Sequence, residues 1–230
     1  MALPKLQTPT YELKLDTLDS PIQFRPYLVK EEKILMIASE TGDEKSIIRA
    51  LTQIVKSCTF DKVDVESLPV FDIEYLFLNI RAKSVGEVVK INVTCPDAKK
   101  TTVPKQININ DVKVQKNENH NNVIVVNDTI KIVMKYPTLK DVANVNTQNT
   151  AELFKVIPKC IKSVYEGEKI IEDFTDEEIS EFVNNLNSGQ FKSIQDFFMT
   201  MPRLKHDVEV DNPVTKVKST VTLEGVQSFF

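Results

Sequence analysis

The spacing of hydrophobic residues switches between helical and strand-like periods along this chain of 230 residues. From residue 28 to Gly86 they recur every three or four positions, as on one face of a helix. From Gly86 to residue 136 they alternate with polar residues, as in a half-buried strand. Helical spacing returns after Pro137, and a last alternating stretch follows near the C-terminus. The pattern predicts an α+β fold, with a helical core from residues 28–84 and 138–200.

The same changes divide the chain into four predicted segments. Because the alternating stretch lies between two helical ones, we expect it to form one small inserted antiparallel β-sheet, and the last stretch to form a C-terminal β-hairpin. The segments are an extended N-terminal arm (1–26), an N-terminal helical segment (27–85), a small antiparallel β insert (86–136) and a C-terminal helical segment with a terminal hairpin (137–230).

The most hydrophobic predicted helix follows Pro69, whose missing N–H costs little at a helix start. Its apolar residues cover most of the helix circumference, which is typical of a buried helix. Asp72 and Glu74 lie in its first turn, where the helix dipole favours negative charge. A pair of catalytic carboxylates is the alternative. The apolar residues are Phe71, Ile73, Leu76, Phe77, Leu78 and Ile80.

Three further helices are predicted in the C-terminal segment. The first is capped by Asn149 and Glu152, and the second by Thr175 and Glu178, both with capping-box spacing. The third contains the phenylalanines of residues 191–198. The apolar side of the first helix consists of Leu153, Phe154, Ile157, Ile161 and Val164.

The two ends of the chain supply the candidate partner-binding residues. Tyr11, Leu13 and Leu15 alternate with polar residues, so they predict a strand. That strand either packs on its own domain or completes the sheet of a partner, since free strand edges pair readily. Phe229 and Phe230 end the chain, and they must be either buried or exposed as an interaction site.

Composition and motifs give no sign of a catalytic, metal or cofactor site. The net charge is −4, which disfavours a nucleic-acid-binding function, and no apolar run is long enough to span a membrane. His120 and His206 lack a nearby nucleophile motif. Cys95 is followed by Ala98 where a second zinc ligand would be needed. We therefore expect no enzyme activity and no cofactor.

One charged stretch stands out between residues 166 and 181, here called the acidic segment. It is either the solvated start of a helix, where acids suit the dipole, or a docking face for a basic partner. It carries Lys169 among eight acids: Glu166, Glu168, Glu172, Asp173, Asp176, Glu177, Glu178 and Glu181.

Two segments of the sequence resemble a known viral protein family. The first runs from Phe24 to Ala38 (FRPYLVKEEKILMIA) and the second from Leu68 to Glu87 (LPVFDIEYLFLNIRAKSVGE). They are similar to the baseplate hub assembly proteins of T-even-like contractile-tailed bacteriophages. The resemblance continues through residues 133–137, residues 191–202 and the terminal Phe-Phe. It implies a phage baseplate protein without catalytic residues.

The resemblance leaves two functions open. The first is a non-enzymatic assembly chaperone that binds other phage baseplate hub proteins during tail morphogenesis, in the host cytoplasm. The second is a permanent structural subunit of the baseplate hub, located in the virion. Both require apolar or strand-edge surface that the free protein tolerates. Neither implies a nucleic acid, a membrane or a particular oligomeric state.

Overall fold

The computed structural model describes residues 6–41, 44–142 and 154–229. The chain forms two compact units: the first contains residues 1–115 and 203–230, and the second residues 116–202. The helices in the described ranges are α1 (Val29–Thr41), α2 (Glu44–Cys58), α3 (Val70–Val85), α4 (Leu139–Val142), α5 (Val156–Lys159), α6 (Asp176–Asn184) and α7 (Ser188–Thr200).

The strands of these ranges have three to eleven residues, and all of their pairings are antiparallel. They are β1 (Tyr11–Leu13), β2 (Ile22–Phe24), β3 (Val88–Cys95), β4 (Ala98–Asn108), β5 (Lys113–Gln115), β6 (Val123–Val125), β7 (Ile130–Met134), β8 (Ile161–Glu166), β9 (Lys169–Ile171), β10 (Arg203–Asp211) and β11 (Lys218–Glu224).

Helix α3 forms the centre of the first unit, as the sequence predicts. Pro69 precedes its first residue, and all six of its predicted apolar core residues are buried. Gly86 ends the helix by donating its N–H to the carbonyl of Ala82 at 3.1 Å. Its φ of 121° is a conformation that residues with a Cβ rarely adopt, which explains glycine at this position.

The first unit contains two further sheets in addition to the β1–β2 pair. One is the β3–β4 hairpin, and the other has the strand order β11-β10-β5. The β3–β4 turn is joined to the β10–β11 turn by Asn212, whose side-chain amide donates to both oxygens of Asp97 at 3.0 and 3.1 Å. Asn212 is buried, so these bonds satisfy a polar group that would otherwise be costly to bury.

The second unit is built on a four-stranded sheet with the order β6-β7-β8-β9. Its inner face includes Ile132 paired with Val164, which is paired in turn with Ile171. Helices α6 and α7 add Ile179 and Phe197 to the same core. Each of these two helices begins with a capping box in which both reciprocal hydrogen bonds form, as the spacing of Thr175 and Glu178 predicts for α6.

The predicted helical core with a single inserted sheet is wrong, although the fold mixes helices and strands. The described residues form four antiparallel sheets of two to four strands. The strands between residues 86 and 136 are shared among three of them: β3 pairs with β4, β5 with β10, and β7 with both β6 and β8. Alternating hydrophobicity predicts a strand but does not identify its partner, and here two partners lie far along the chain.

The predicted helix with Ile161 and Val164 on its apolar side is also wrong, because these residues belong to β8. Its proposed cap, Asn149 to Glu152, lies outside the described residues. An irregularity in the β7–β8 pairing, between Val133 and Met134, inserts one extra residue in β8. Ile161 and Val164 therefore both reach the core at a spacing of three, which imitates helical periodicity.

Candidate functional site

The predicted N-terminal arm is folded onto its own unit. β1 pairs with β2, with Tyr11 opposite Phe24 and Leu13 opposite Ile22. The Tyr11 and Phe24 rings are 5.7 Å apart. Leu15 is only 1% exposed, whereas Tyr11 and Leu13 are partly exposed. Of the three candidate partner-binding residues in the arm, Tyr11 and Leu13 therefore present surface to a partner and Leu15 does not.

The C-terminal end is also anchored within the first unit. Phe229 has no exposed surface and ends a short 3-10 helix that starts at Val226. The N–H of Val226 donates to the Glu74 carboxylate at 3.2 Å. Burial raises the pKa of Glu74, and this hydrogen bond offsets the effect only in part. Phe230, the other predicted terminal contact, lies outside the described residues.

The two acids at the start of α3 hold the two ends of the chain. The Thr17 hydroxyl, beyond β1, donates to the Asp72 carboxylate, and Glu74 accepts from Val226. Asp72 is 2% exposed. Sequence reasoning assigned both acids to the helix dipole and missed these contacts, since their partners lie 55 and 152 positions away. The geometry gives both acids a structural anchoring role.

A buried ion pair fixes the start of α1, and no sequence motif had indicated it. Arg25 donates from Nη2 to the Glu31 carboxylate at 2.9 Å, and Glu31 is 2% exposed. Glu31 also accepts from the Leu28 N–H at 2.8 Å and from the Ser57 hydroxyl at 2.9 Å. Burial alone would raise the pKa of Glu31, but these bonds and the Arg25 charge lower it to about 2.

Helix α1 exposes apolar side chains on one face. Only Glu31 and Ala38 of this helix are buried, while Val29, Met36 and Ile37 are 65%, 59% and 64% exposed. Their spacing of seven and eight positions places them on the same side of a helix. We call Val29, Met36 and Ile37 the α1 face. Met36 and Ile37 are neighbours, and Val29 lies two helical turns away, with the exposed Lys33 between them. Single exposed apolar residues are ordinary, but several on one side of a helix are more typical of an interaction surface.

The histidines and cysteines are involved in packing, strand pairing or hydrogen bonding within the fold. The Nδ1 atom of His120 lies 2.9 Å from the Thr200 hydroxyl, and its ring stacks on Tyr136 and contacts the ring of Phe197. Burial lowers the pKa of His120. His206 lies in β10, opposite Leu223. All three cysteines are buried free thiols, and burial raises the pKa of Cys160 to about 12, which disfavours the reactive thiolate.

No metal or membrane site emerges in the described ranges. No three histidine, cysteine, aspartate or glutamate side chains there are grouped as metal ligands would be. In the same ranges, no helix has the length and apolar character needed to cross a membrane.

The acidic segment borders an apolar pocket in the second unit. The pocket has a volume of about 250 Å³ and is lined by residues of the sheet and of α6. Two acids, Glu166 and Glu178, are among its lining residues. We call this the acidic pocket. Its apolar lining is Ile130, Val164, Ile171, Phe174, Ile179 and Phe182.

A second concavity follows the edge strand β9. It has a volume of about 450 Å³ and is lined by residues 169–173. Ile170, at the centre of β9, is 52% exposed. Since β9 is the last strand in the order β6-β7-β8-β9, its outer edge pairs with no strand in the part of the chain that the structure describes. The acidic segment thus combines a free strand edge, an apolar pocket and negative charge.

Comparison with known proteins identifies the protein family of this chain. A family model described as T4 bacteriophage base plate protein matches residues 8–230. Neither the search of curated proteins nor the search of solved structures gave a match. Because the matched range covers nearly the whole chain, including both units, the chain belongs to the T4 bacteriophage base plate protein family.

Proposed function

We propose that this base plate protein is a non-enzymatic assembly factor that binds hub proteins during tail morphogenesis, in the host cytoplasm. The α1 face is the observation that carries the proposal. An assembly factor needs apolar surface that is exposed in the free protein and covered in the complex. Val29, Met36 and Ile37 provide such a surface. All three lie within the segment from Phe24 to Ala38 that resembles the hub assembly proteins.

The α1 face is held in place by the contacts at the start of the helix. Arg25 and Glu31 bind each other and the Ser57 hydroxyl of α2. The helix is thereby fixed with Val29, Met36 and Ile37 directed outward. A surface fixed in this way loses little conformational freedom when a partner binds, which favours association.

The two chain ends support this proposal less well than α1 does. Leu15 and Phe229 are buried in their own unit, so a partner could reach them only if the first unit opened. Opening would expose core residues and destabilise the unit. We therefore place the main contact at the α1 face, with Tyr11 and Leu13 as secondary candidates.

The first experiment separates an assembly factor from a permanent subunit. Base plate intermediates from infected cells and purified phage particles would be compared by quantitative mass spectrometry. We expect the protein in the intermediates and not in the particles. Stoichiometric amounts in washed particles would contradict the assembly role and favour a permanent structural subunit of the hub.

The second experiment tests the α1 face directly. Met36→Ser combined with Ile37→Ser removes exposed apolar surface, so we expect an unchanged melting temperature but loss of co-purification with hub proteins. Val214→Ser is the matched control, since Val214 is 75% exposed in the turn between β10 and β11. Equal co-purification by both variants would show that α1 is not the contact.

A further inference from the structure

The edge of β9 and the acidic pocket form a second docking surface, distinct from the α1 face. We infer that it receives an extended segment of another base plate protein, in which apolar residues alternate with lysine or arginine. The segment would add a fifth strand beside β9. This inference rests on the proposed function only for the source of the partner, because the surface itself is defined by the second unit.

The turn before β9 determines which backbone groups are free. Gly167 and Glu168 connect Glu166 to Lys169, which are paired. Gly167 has a φ of 61°, as the first central residue of a type II′ turn requires. In such a hairpin the pair that closes the turn is hydrogen-bonded, and the next pair is not. The N–H and C=O of Ile170 therefore point away from β8, toward the free edge.

The two faces of β9 determine which side chains a new strand would need. Ile171 lies on the inner face with Val164 and lines the acidic pocket. Side chains of an added strand on that face enter the pocket, so they should be apolar. Side chains on the other face pass Ile170 and approach Glu172 in the outer cavity, so they should be basic.

Charge also distinguishes between a second copy of this chain and a basic partner segment as the strand that binds β9. The acidic segment has eight acids and one lysine, so a second copy of this chain would bring like charges together and be repelled. A basic strand would be attracted instead. Short edge strands beside charges resist pairing with themselves, and this property does not protect them from a partner of opposite charge.

The test uses the full chain and a labelled peptide that alternates valine and lysine. A peptide with proline in place of valine has the same charge but cannot form a strand, and it serves as the reference. Binding would be measured by fluorescence anisotropy. We expect the valine peptide to bind more tightly, with slower hydrogen exchange at the Ile170 N–H. Equal binding of the two peptides, or no binding, would overturn the inference.

Two pairs of variants locate the contact. Ile170→Pro removes the outward N–H together with the isoleucine side chain, and the lost hydrogen bond should weaken binding up to about tenfold, the upper range for one hydrogen bond. Ile170→Ala keeps that N–H and should bind nearly as wild type. Glu172→Lys should weaken binding more than Glu177→Lys, which makes the same charge change at a position that lines neither cavity. Equal effects within either pair would refute the assignment.

The remaining possible outcome is that two copies of this protein associate through β9. Analytical ultracentrifugation would detect such a dimer. A concentration-dependent dimer that Ile170→Pro abolishes would show that a second copy occupies the edge, and would overturn the basic partner. These results are independent of the assembly role. If the protein proves to be a permanent subunit, the peptide measurements still stand. If Ile170→Pro binds normally, the docking surface fails while the assembly role is unaffected.

Discussion

The buried Arg25–Glu31 pair gives the sharpest stability prediction. Glu31→Gln removes the negative charge while retaining similar volume and an oxygen acceptor. It leaves the Arg25 guanidinium, whose side chain is 11% exposed, without a counter-ion. Removing one partner of a buried pair destabilises a protein because the remaining charge stays desolvated. We therefore expect Glu31→Gln to destabilise the first unit at neutral pH.

The magnitude follows from the pKa of Glu31, which is lowered from 4.5 to about 2. At about 1.4 kcal/mol per pKa unit this corresponds to roughly 3 kcal/mol, and screening by solvent near Arg25 reduces it to about 2 kcal/mol. A lowered folded-state pKa contributes stability that is present above pH 4.5. The contribution is lost as pH falls through about 2, so wild type and variant should converge in acid.

Urea unfolding followed by circular dichroism would measure the difference, with hydrogen exchange at residues 25–41 reporting on the first unit alone. Arg25→Met combined with Glu31→Gln should recover part of the loss, because no unpaired charge remains. Glu87→Gln is the control, since Glu87 pairs with Lys83 on the surface and should change little. A stability difference that is absent at neutral pH, or constant down to pH 3, would refute the reasoning.

Three further predictions concern the core, the C-terminus and a helix cap. Phe77→Ala should destabilise by about 3–5 kcal/mol, because Phe77 is fully buried in α3; a melting temperature near that of wild type would contradict its core position. Phe229→Ala should cost a similar amount, whereas a stable variant that loses partner binding would instead indicate a terminal contact. Thr175→Ala should cost about 1 kcal/mol by removing the α6 cap, which urea unfolding can measure, and Thr175→Ser should restore it.

The sequence predicted α3 well because its signals are local. Six apolar residues in one helix, a proline at its start and a glycine at its end all act within a few turns. The strand at Tyr11 and the capping box at Thr175 were likewise readable from neighbouring residues. Strand partners were not, because pairing of β5 with β10 or β7 with β8 depends on residues that meet only in the folded chain.

The candidate surfaces likewise differ in whether they could be predicted from the local sequence. The acidic segment was visible in the sequence as a run of charge, and the exposed Ile170 lies within it. The acidic pocket was not visible, since its lining comes from β7, β8, β9 and α6 together. The α1 face was missed for a different reason. Hydrophobic spacing predicted helical structure in residues 28–84, and it could not show that Glu31 would be buried while Met36 and Ile37 remained exposed.

The anchoring of both chain ends on α3 changes how function should be tested. Thr17 binds Asp72 and Val226 binds Glu74, so deleting either end removes a hydrogen bond from a buried acid and uncovers part of the core. Leaving a buried polar group without its partner costs about 1–3 kcal/mol. A truncated protein that fails to bind hub proteins would therefore report unfolding and binding together. Met36, Ile37 and Ile170 are each more than half exposed, so loss of binding by Met36→Ser with Ile37→Ser, or by Ile170→Pro relative to Ile170→Ala, can be attributed to the surface when the melting temperature is unchanged.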